Sequence, residues 1–96
     1  GFCGWEFDGG KAVVNQEAGR LQLVFGEKPS PEHRAQLKAN GFRWAPKAGV
    51  WQRLLNRQAI QAAGRMEFVR PLSGQTPQEL QPNAGKQVEK QKSMQR

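Results

Sequence analysis

Several ingredients of enzyme and metal sites are scarce in this 96-residue chain, which has one cysteine, one histidine and no tyrosine. Cys3 therefore cannot form an internal disulfide, and the Cys and His residues cannot supply the three or four ligands that a zinc ion requires. The carboxylates are scattered, and His33 has no partner pattern that would make it a general base. We therefore expect no catalytic residues, no metal and no cofactor.

Long hydrophobic runs are also missing from the sequence. A membrane-spanning helix needs about 20 predominantly apolar residues, and a secretory signal needs a basic region followed by an apolar one. The sequence shows neither pattern, so we expect no membrane partner. Together with the single cysteine, this favours a reducing, cytoplasmic location.

Acidic residues are absent between Glu32 and Glu67, although the chain has eight in total and a net charge of +7. This window contains seven basic residues: Arg34, Lys38, Arg43, Lys47, Arg53, Arg57 and Arg65. A surface polarised in this way attracts phosphate backbones or acidic protein faces. An ordinary solvated surface is the other interpretation, although acids usually intersperse with bases on such surfaces.

The chain divides unevenly, because all three tryptophans and most apolar residues lie before Pro71. We predict a small basic domain over residues 1–70 and a disordered polar tail over residues 71–96, whose composition cannot offset the entropy of ordering. A domain of this size buries a modest share of its surface, which argues against a deep, water-excluding substrate cavity. The sequence thus predicts a binding module and not an enzyme.

The residue pattern predicts an α+β fold, with a small antiparallel sheet of four to five strands and two short helices on one face. Asp8-Gly9-Gly10 favours a first hairpin, and the alternation of Leu21, Leu23 and Phe25 indicates a half-buried strand over residues 20–25.

Helix signals come after this strand. Ser30 can cap a helix over Pro31–Ala39 that closes at Asn40-Gly41. Asn56 can cap a second helix that runs through Ala63 and ends at Gly64, with Ala59, Ile60 and Ala63 facing inward and Arg57 and Arg65 outside. Residues 66–69 are expected to add a short strand or to dock loosely.

A second hairpin is predicted over residues 42–54, around the turn Pro46-Lys47-Ala48-Gly49. If Ala45 pairs with Val50, then Trp44 opposes Trp51 and Phe42 opposes Arg53 on one face, whereas Arg43 and Gln52 emerge on the other. Two interpretations of the tryptophans remain open. They form a platform on which nucleobases stack, or they form the core of the sheet, which is the arrangement we expect.

The stretch from about Arg20 to Ala63 resembles a small C-terminal-type domain of hypothetical proteins from phages and conjugative plasmids. The resemblance is carried by Gly41-Phe42-Arg43-Trp44, Pro46, Gly49 and Trp51-Gln52-Arg53. A looser likeness, carried by Trp44, Pro46, Trp51 and the order of elements, is to the HARP module of annealing helicases and to short modules of plasmid primase-like proteins. These resemblances imply a mobile genetic element and DNA handling.

The sequence therefore favours a non-catalytic nucleic-acid-binding accessory module, with single- or double-stranded DNA as the partner and little sequence readout. The expected phosphate ligands are Arg34, Lys38, Arg43, Lys47, Arg53 and Arg57, with Trp44 and Trp51 as possible stacking residues. The alternative is a protein-interaction module, in which the same basic surface docks an acidic host or replication protein by electrostatic complementarity.

Overall fold

The computed structural model describes residues 3–80, which form a five-stranded antiparallel sheet with helices packed on one face. The strands are β1 (Gly4–Phe7), β2 (Gly10–Asn15), β3 (Arg20–Phe25), β4 (Arg43–Ala45) and β5 (Val50–Leu54). The α-helices are α1 (Pro31–Ala39), α2 (Arg57–Arg65) and α3 (Pro77–Leu80), and a 3-10 helix spans Glu67–Val69. The predicted α+β class is confirmed.

The strand order in the sheet is β1-β2-β3-β5-β4. The last strand in sequence, β5, therefore lies between β3 and β4, and the edges are formed by β1 and β4. The register aligns one residue from each strand in a transverse row: Trp5, Ala12, Leu23, Trp51 and Trp44. Directly opposed residues of paired strands share a face, so this row lies on a single face of the sheet.

The hydrophobic core lies on the face that carries this row. Alternate strand residues such as Phe7, Val14 and Leu21 are buried there, because successive side chains of a strand point to opposite faces. Helices α1 and α2 cover them with Leu37 and with Ala59, Ile60, Ala62 and Ala63. Within residues 3–80, no helix combines the length and the apolar character that crossing a membrane would require.

Helix α1 begins and ends where the sequence predicts. The Ser30 hydroxyl oxygen accepts a hydrogen bond from the His33 N–H at 3.1 Å, which satisfies one of the unpaired donors of the first turn. At the other end Gly41 has φ +85°, and the Phe42 N–H donates to the Leu37 carbonyl oxygen at 2.9 Å. This bond pattern closes the helix because glycine enters the left-handed region without a Cβ penalty.

Helix α2 runs further than predicted. Its cap is confirmed, since the Asn56 Oδ1 accepts from the Ala59 N–H at 2.8 Å. The expected end at Gly64 is wrong, because the helix continues through Arg65 and the chain then buries Met66 completely in the core. Burial of this large apolar side chain outweighs the modest helix cost of one glycine.

The chain after α2 packs closely against the sheet. The expectation of a strand or a loose segment over residues 66–69 is wrong, since Glu67–Val69 forms a 3-10 helix and Val69 is fully buried. Packing contacts also continue past the predicted domain boundary at residue 70: Pro71 and Pro77 are buried, and α3 contacts α2 and β1. Residues 81–96 of the predicted tail lie outside the described residues.

Candidate nucleic-acid interface

The β4–β5 hairpin has the predicted register, with Ala45 opposite Val50 and Trp44 opposite Trp51. The expected burial of both tryptophans is only half right. The Trp51 side chain is 5% exposed, whereas that of Trp44 is 51% exposed. The reason is the strand order, since β5 is an interior strand between β3 and β4 while β4 is an edge that contacts little besides β5 among the described elements.

The two indole rings form a tilted pair. Their centroids lie 5.8 Å apart with an interplanar angle of 53°, which is a favourable arrangement for aromatic quadrupoles. Trp51 belongs to the core cluster and supports Trp44 from the interior side. The Trp44 ring therefore contacts Trp51 on its interior side and is exposed to solvent elsewhere.

Beside this pair lies a groove of about 600 Å³, between α1, the segment that precedes it and the β4–β5 hairpin. Its volume falls in the range of about 300–1,000 Å³ that is typical of small-ligand sites. The lining residues are Phe25, Gly26, Glu27, Lys28, Pro29, Arg34, Lys38, Trp44, Gly49 and Trp51. We call this feature the tryptophan groove.

Three of the lining side chains are basic and one, Glu27, is acidic. Arg34 and Lys38 lie four residues apart on α1, so they project from the same stripe of the helix. The Arg34 guanidinium donates through Nη1 to the Pro29 carbonyl oxygen, which holds the side chain against the wall of the groove. A guanidinium has five N–H donors, so this bond leaves others for a ligand. Lys28 adds the third positive charge.

The other predicted phosphate ligands do not join this groove. Arg43 opposes Gln52 on the opposite face of the sheet, Lys47 is exposed in the hairpin turn, and Arg57 is exposed at the start of α2. The six residues therefore do not form a single positive flank, because the hairpin register alternates neighbouring side chains between the two faces. Arg34 and Lys38 are the two that line the tryptophan groove.

Arg53 has a structural position. Its guanidinium donates through Nη1 to the Asn40 carbonyl oxygen at 2.7 Å and lies 6.0 Å from the centroid of the buried Phe42 ring. It thus satisfies a carbonyl at the C-terminus of α1, where a positive charge also interacts favourably with the helix dipole. Arg65 donates through Nε to the Asn40 Oδ1 at 3.3 Å, so two basic side chains meet at this helix end.

Lys28 and Phe25 also line the groove, although the sequence pattern did not predict either as a site residue. A signal for Lys28 was nevertheless present, because Lys28-Pro29-Ser30 directly precedes α1, so the lysine had to lie near the first turn and near Arg34. The position of Phe25 in the groove depends on strand order and carries no comparable local signal.

The opposite face of the sheet, which we call the outer face, carries amide and mixed side chains. The Gln22 Nε2 donates to the Gln52 Oε1 at 2.9 Å, and the Asn15 Nδ2 donates to the Gln22 Oε1 at 3.2 Å. Leu54, opposite Arg20, is 59% exposed on this face. No aromatic residue of the described strands points to the outer face.

The fold and site define a small α+β domain with a cation-lined aromatic groove at one edge of its sheet. Within residues 3–80, no three His, Cys, Asp or Glu side chains gather in a way that could hold a metal ion. A family model described as a domain of unknown function, DUF8626, matches residues 24–69, slightly less than half of the chain. This segment is similar to that family, and it contains every residue that lines the tryptophan groove. Searches among curated proteins and among solved structures found no match.

Proposed function

We propose that this protein is a non-catalytic accessory module that binds the phosphate backbone of nucleic acid through the tryptophan groove, with little sequence readout. The observation that carries the proposal is the convergence of Lys28, Arg34 and Lys38 around one aromatic concavity. Cations held beside a groove attract a polyanion and release its condensed counterions, which supplies affinity independent of sequence. The groove has no array of amides that would distinguish one base from another.

The biological setting is part of the same proposal. The resemblance of the Gly41–Arg53 stretch to small domains of phage and conjugative-plasmid proteins supports a role in a mobile genetic element. The exposed free thiol of Cys3 is compatible with a reducing compartment, so we place the protein in the cytoplasm.

The test measures binding of labelled single- and double-stranded oligonucleotides at about 50 and 200 mM salt. Three engaged cations give a slope of log K against log salt near −2 for a single strand, so affinity falls about 20-fold over this range. Removing the groove charges with Lys28→Gln, Arg34→Gln and Lys38→Gln lowers affinity by about tenfold or more at low salt and flattens the slope.

The matched control removes three charges elsewhere with Arg20→Gln, Arg43→Gln and Arg57→Gln. These side chains lie on the outer face and at the start of α2, so the control changes net charge equally but leaves the groove intact. We expect it to lose much less affinity than the groove variant. No affinity for either oligonucleotide at low salt, or equal losses in the two triple variants, contradicts the proposal.

A second candidate function is docking of an acidic protein on the outer face. It is favoured by the positions of Arg20 and Arg43 on the outer face, with the exposed Leu54 opposite Arg20. Arg20 and Arg43 would attract an acidic partner to this face by electrostatic complementarity. Polyglutamate serves as the probe. This alternative requires that the control triple variant, which lacks the charges of Arg20, Arg43 and Arg57, loses affinity for polyglutamate and that the groove variant keeps it.

A further inference from the structure

We propose that the tryptophan groove holds one unpaired nucleobase stacked on Trp44, so that the domain binds single-stranded nucleic acid in preference to duplex. This inference rests on the proposed function and specifies its substrate. It is based on the difference in exposure between the two tryptophans of the aromatic pair. Trp51 is buried, whereas Trp44 is half exposed and lines the groove.

The position of the Trp44 ring suits stacking better than burial. Its interior side meets the tilted Trp51 ring at a centroid distance of 5.8 Å, and its exposed part lines the concavity. A planar base entering the groove would contact the indole on one side and lie above an apolar floor that includes Phe25 and Trp51. Every base has a π-face, so such stacking tolerates any sequence.

The charges around the groove complement a nucleotide and not an isolated aromatic ring. Arg34 is held by its bond to the Pro29 carbonyl, and Lys38 extends from the next turn of the same helix stripe. Both line the same groove as Trp44, so a nucleotide whose base stacks on Trp44 has two cations of α1 in that groove for its phosphates. A proline-rich peptide also favours aromatic grooves, but it has no anionic backbone for these cations to bind.

Duplex nucleic acid cannot use this surface in the same way. Its bases bury their π-faces against each other, so a duplex must first extrude a base before Trp44 can stack on it, and that step costs affinity. A single strand has open faces and needs no such step. The domain presents one exposed tryptophan among the described residues, so we expect one stacked base for each bound domain.

The experiment uses the full chain with an oligothymidylate of about 12 nucleotides and a duplex of the same length at low salt. We expect the single strand to bind about tenfold more tightly and to quench the fluorescence of Trp44 by stacking on it. Trp5 and Trp51 are buried, so the change in fluorescence reports on Trp44. Trp44→Ala should lower single-strand affinity about tenfold and duplex affinity much less, so that most of the preference for the single strand is lost. Trp44→Phe retains a ring, so it should keep affinity within about threefold and lose most of the quenching.

The possible failures are distinguishable. If neither nucleic acid binds, the proposed function itself is wrong. If both bind equally well and Trp44→Ala changes neither affinity, phosphate binding stands and the stacked base is wrong. Displacement of the oligonucleotide by a proline-rich peptide, with a loss of peptide binding in Trp44→Ala, assigns the groove to a peptide and overturns the inference. Circular dichroism melts of both variants verify that the half-exposed site tolerates the change.

Discussion

The two edge strands of the sheet each carry a tryptophan in the same transverse row, but the two tryptophans differ in exposure. Trp5 on β1 and Trp44 on β4 stand at opposite ends of the row that crosses all five strands. Trp5 is 4% exposed, and its indole Nε1 donates to the Val69 carbonyl oxygen at 2.8 Å, whereas Trp44 is 51% exposed beside a groove. One tryptophan therefore stabilises the fold, and the other is available to a ligand.

The difference between the edges arises from the segment of chain after α2. The 3-10 helix packs on β2, α3 packs on β1, and the Leu72 N–H donates to the Glu6 carbonyl oxygen at 2.9 Å. These contacts cover the β1 edge, which would otherwise present unpaired backbone groups. Among the described helices and strands, only β5 packs extensively on β4. The proposed binding site lies at this β4 edge, beside the three cations of the tryptophan groove.

The largest expected effect is on the free energy of unfolding, which truncation of Trp5 should lower far more than truncation of Trp44. Trp5→Ala should lower the free energy of unfolding by about 3–5 kcal/mol, because it opens a cavity and leaves the buried Val69 carbonyl without its partner. Trp44→Ala should cost only about 2 kcal/mol, since half of its ring is already in water and it opens no buried cavity. Urea denaturation measures both variants. Similar losses would abolish the distinction between a covered and an open edge.

The next largest effect on stability should come from removing residues 71–80, which pack against the β1 edge. A chain that ends at residue 70 loses the buried Pro71 and Pro77 and the bond from Leu72 to Glu6. We expect it to be about 2 kcal/mol less stable than a chain that ends at residue 80, because buried apolar area and a backbone hydrogen bond are lost. Thermal melts of the two chains test this. Equal melting temperatures would show that the cover is dispensable.

At the open end, Arg53 should behave as a structural residue despite its charge. Arg53→Met keeps much of the apolar stem but leaves the Asn40 carbonyl oxygen without its charged donor, at a cost of about 1–2 kcal/mol in unfolding free energy. Oligonucleotide affinity of the folded variant should stay within about twofold, with an unchanged salt slope. A flattened slope with unchanged stability would instead place Arg53 among the phosphate ligands.

The smallest effect concerns the helix that carries Arg34 and Lys38. Ser30→Ala removes the cap bond to the His33 N–H and should cost about 1 kcal/mol in unfolding free energy. Because the rest of α1 is retained, affinity measured well below the melting temperature should change little. Asn56→Ala at α2 is the matched control, with a similar stability loss at a helix remote from the groove. A large affinity loss in Ser30→Ala alone would show that the first turn of α1 positions the groove.

Much of the fold is dictated by local signals. The bounds of α1 agree with the prediction because Ser30, Pro31 and Gly41 act through bonds and backbone angles within a few residues. The pairing of Trp44 with Trp51 likewise depends on a four-residue turn. The end of α2 was predicted less well, because the burial of Met66 depends on the sheet and not on its neighbours in sequence.

The candidate site was predicted in part. Of the six expected phosphate ligands, Arg34 and Lys38 lie together on α1 and line the groove. The expectation that Arg43, Lys47, Arg53 and Arg57 share their surface failed, because charge along a sequence says little about which face of a strand or end of a helix presents it. Lys28 lines the groove because the segment that leads into α1 runs along it.

By itself, the sequence determined the turns, the caps, the strand alternation and the register of the hairpin, since each depends on interactions between near neighbours. It left open which strand of that hairpin pairs with β3. Tertiary structure decided that β5 takes the interior position. Trp51 is therefore buried, whereas Trp44 is half exposed. Both strands place a tryptophan on the same face, so only the pairing of β3 with one of them creates the difference on which the proposed binding depends.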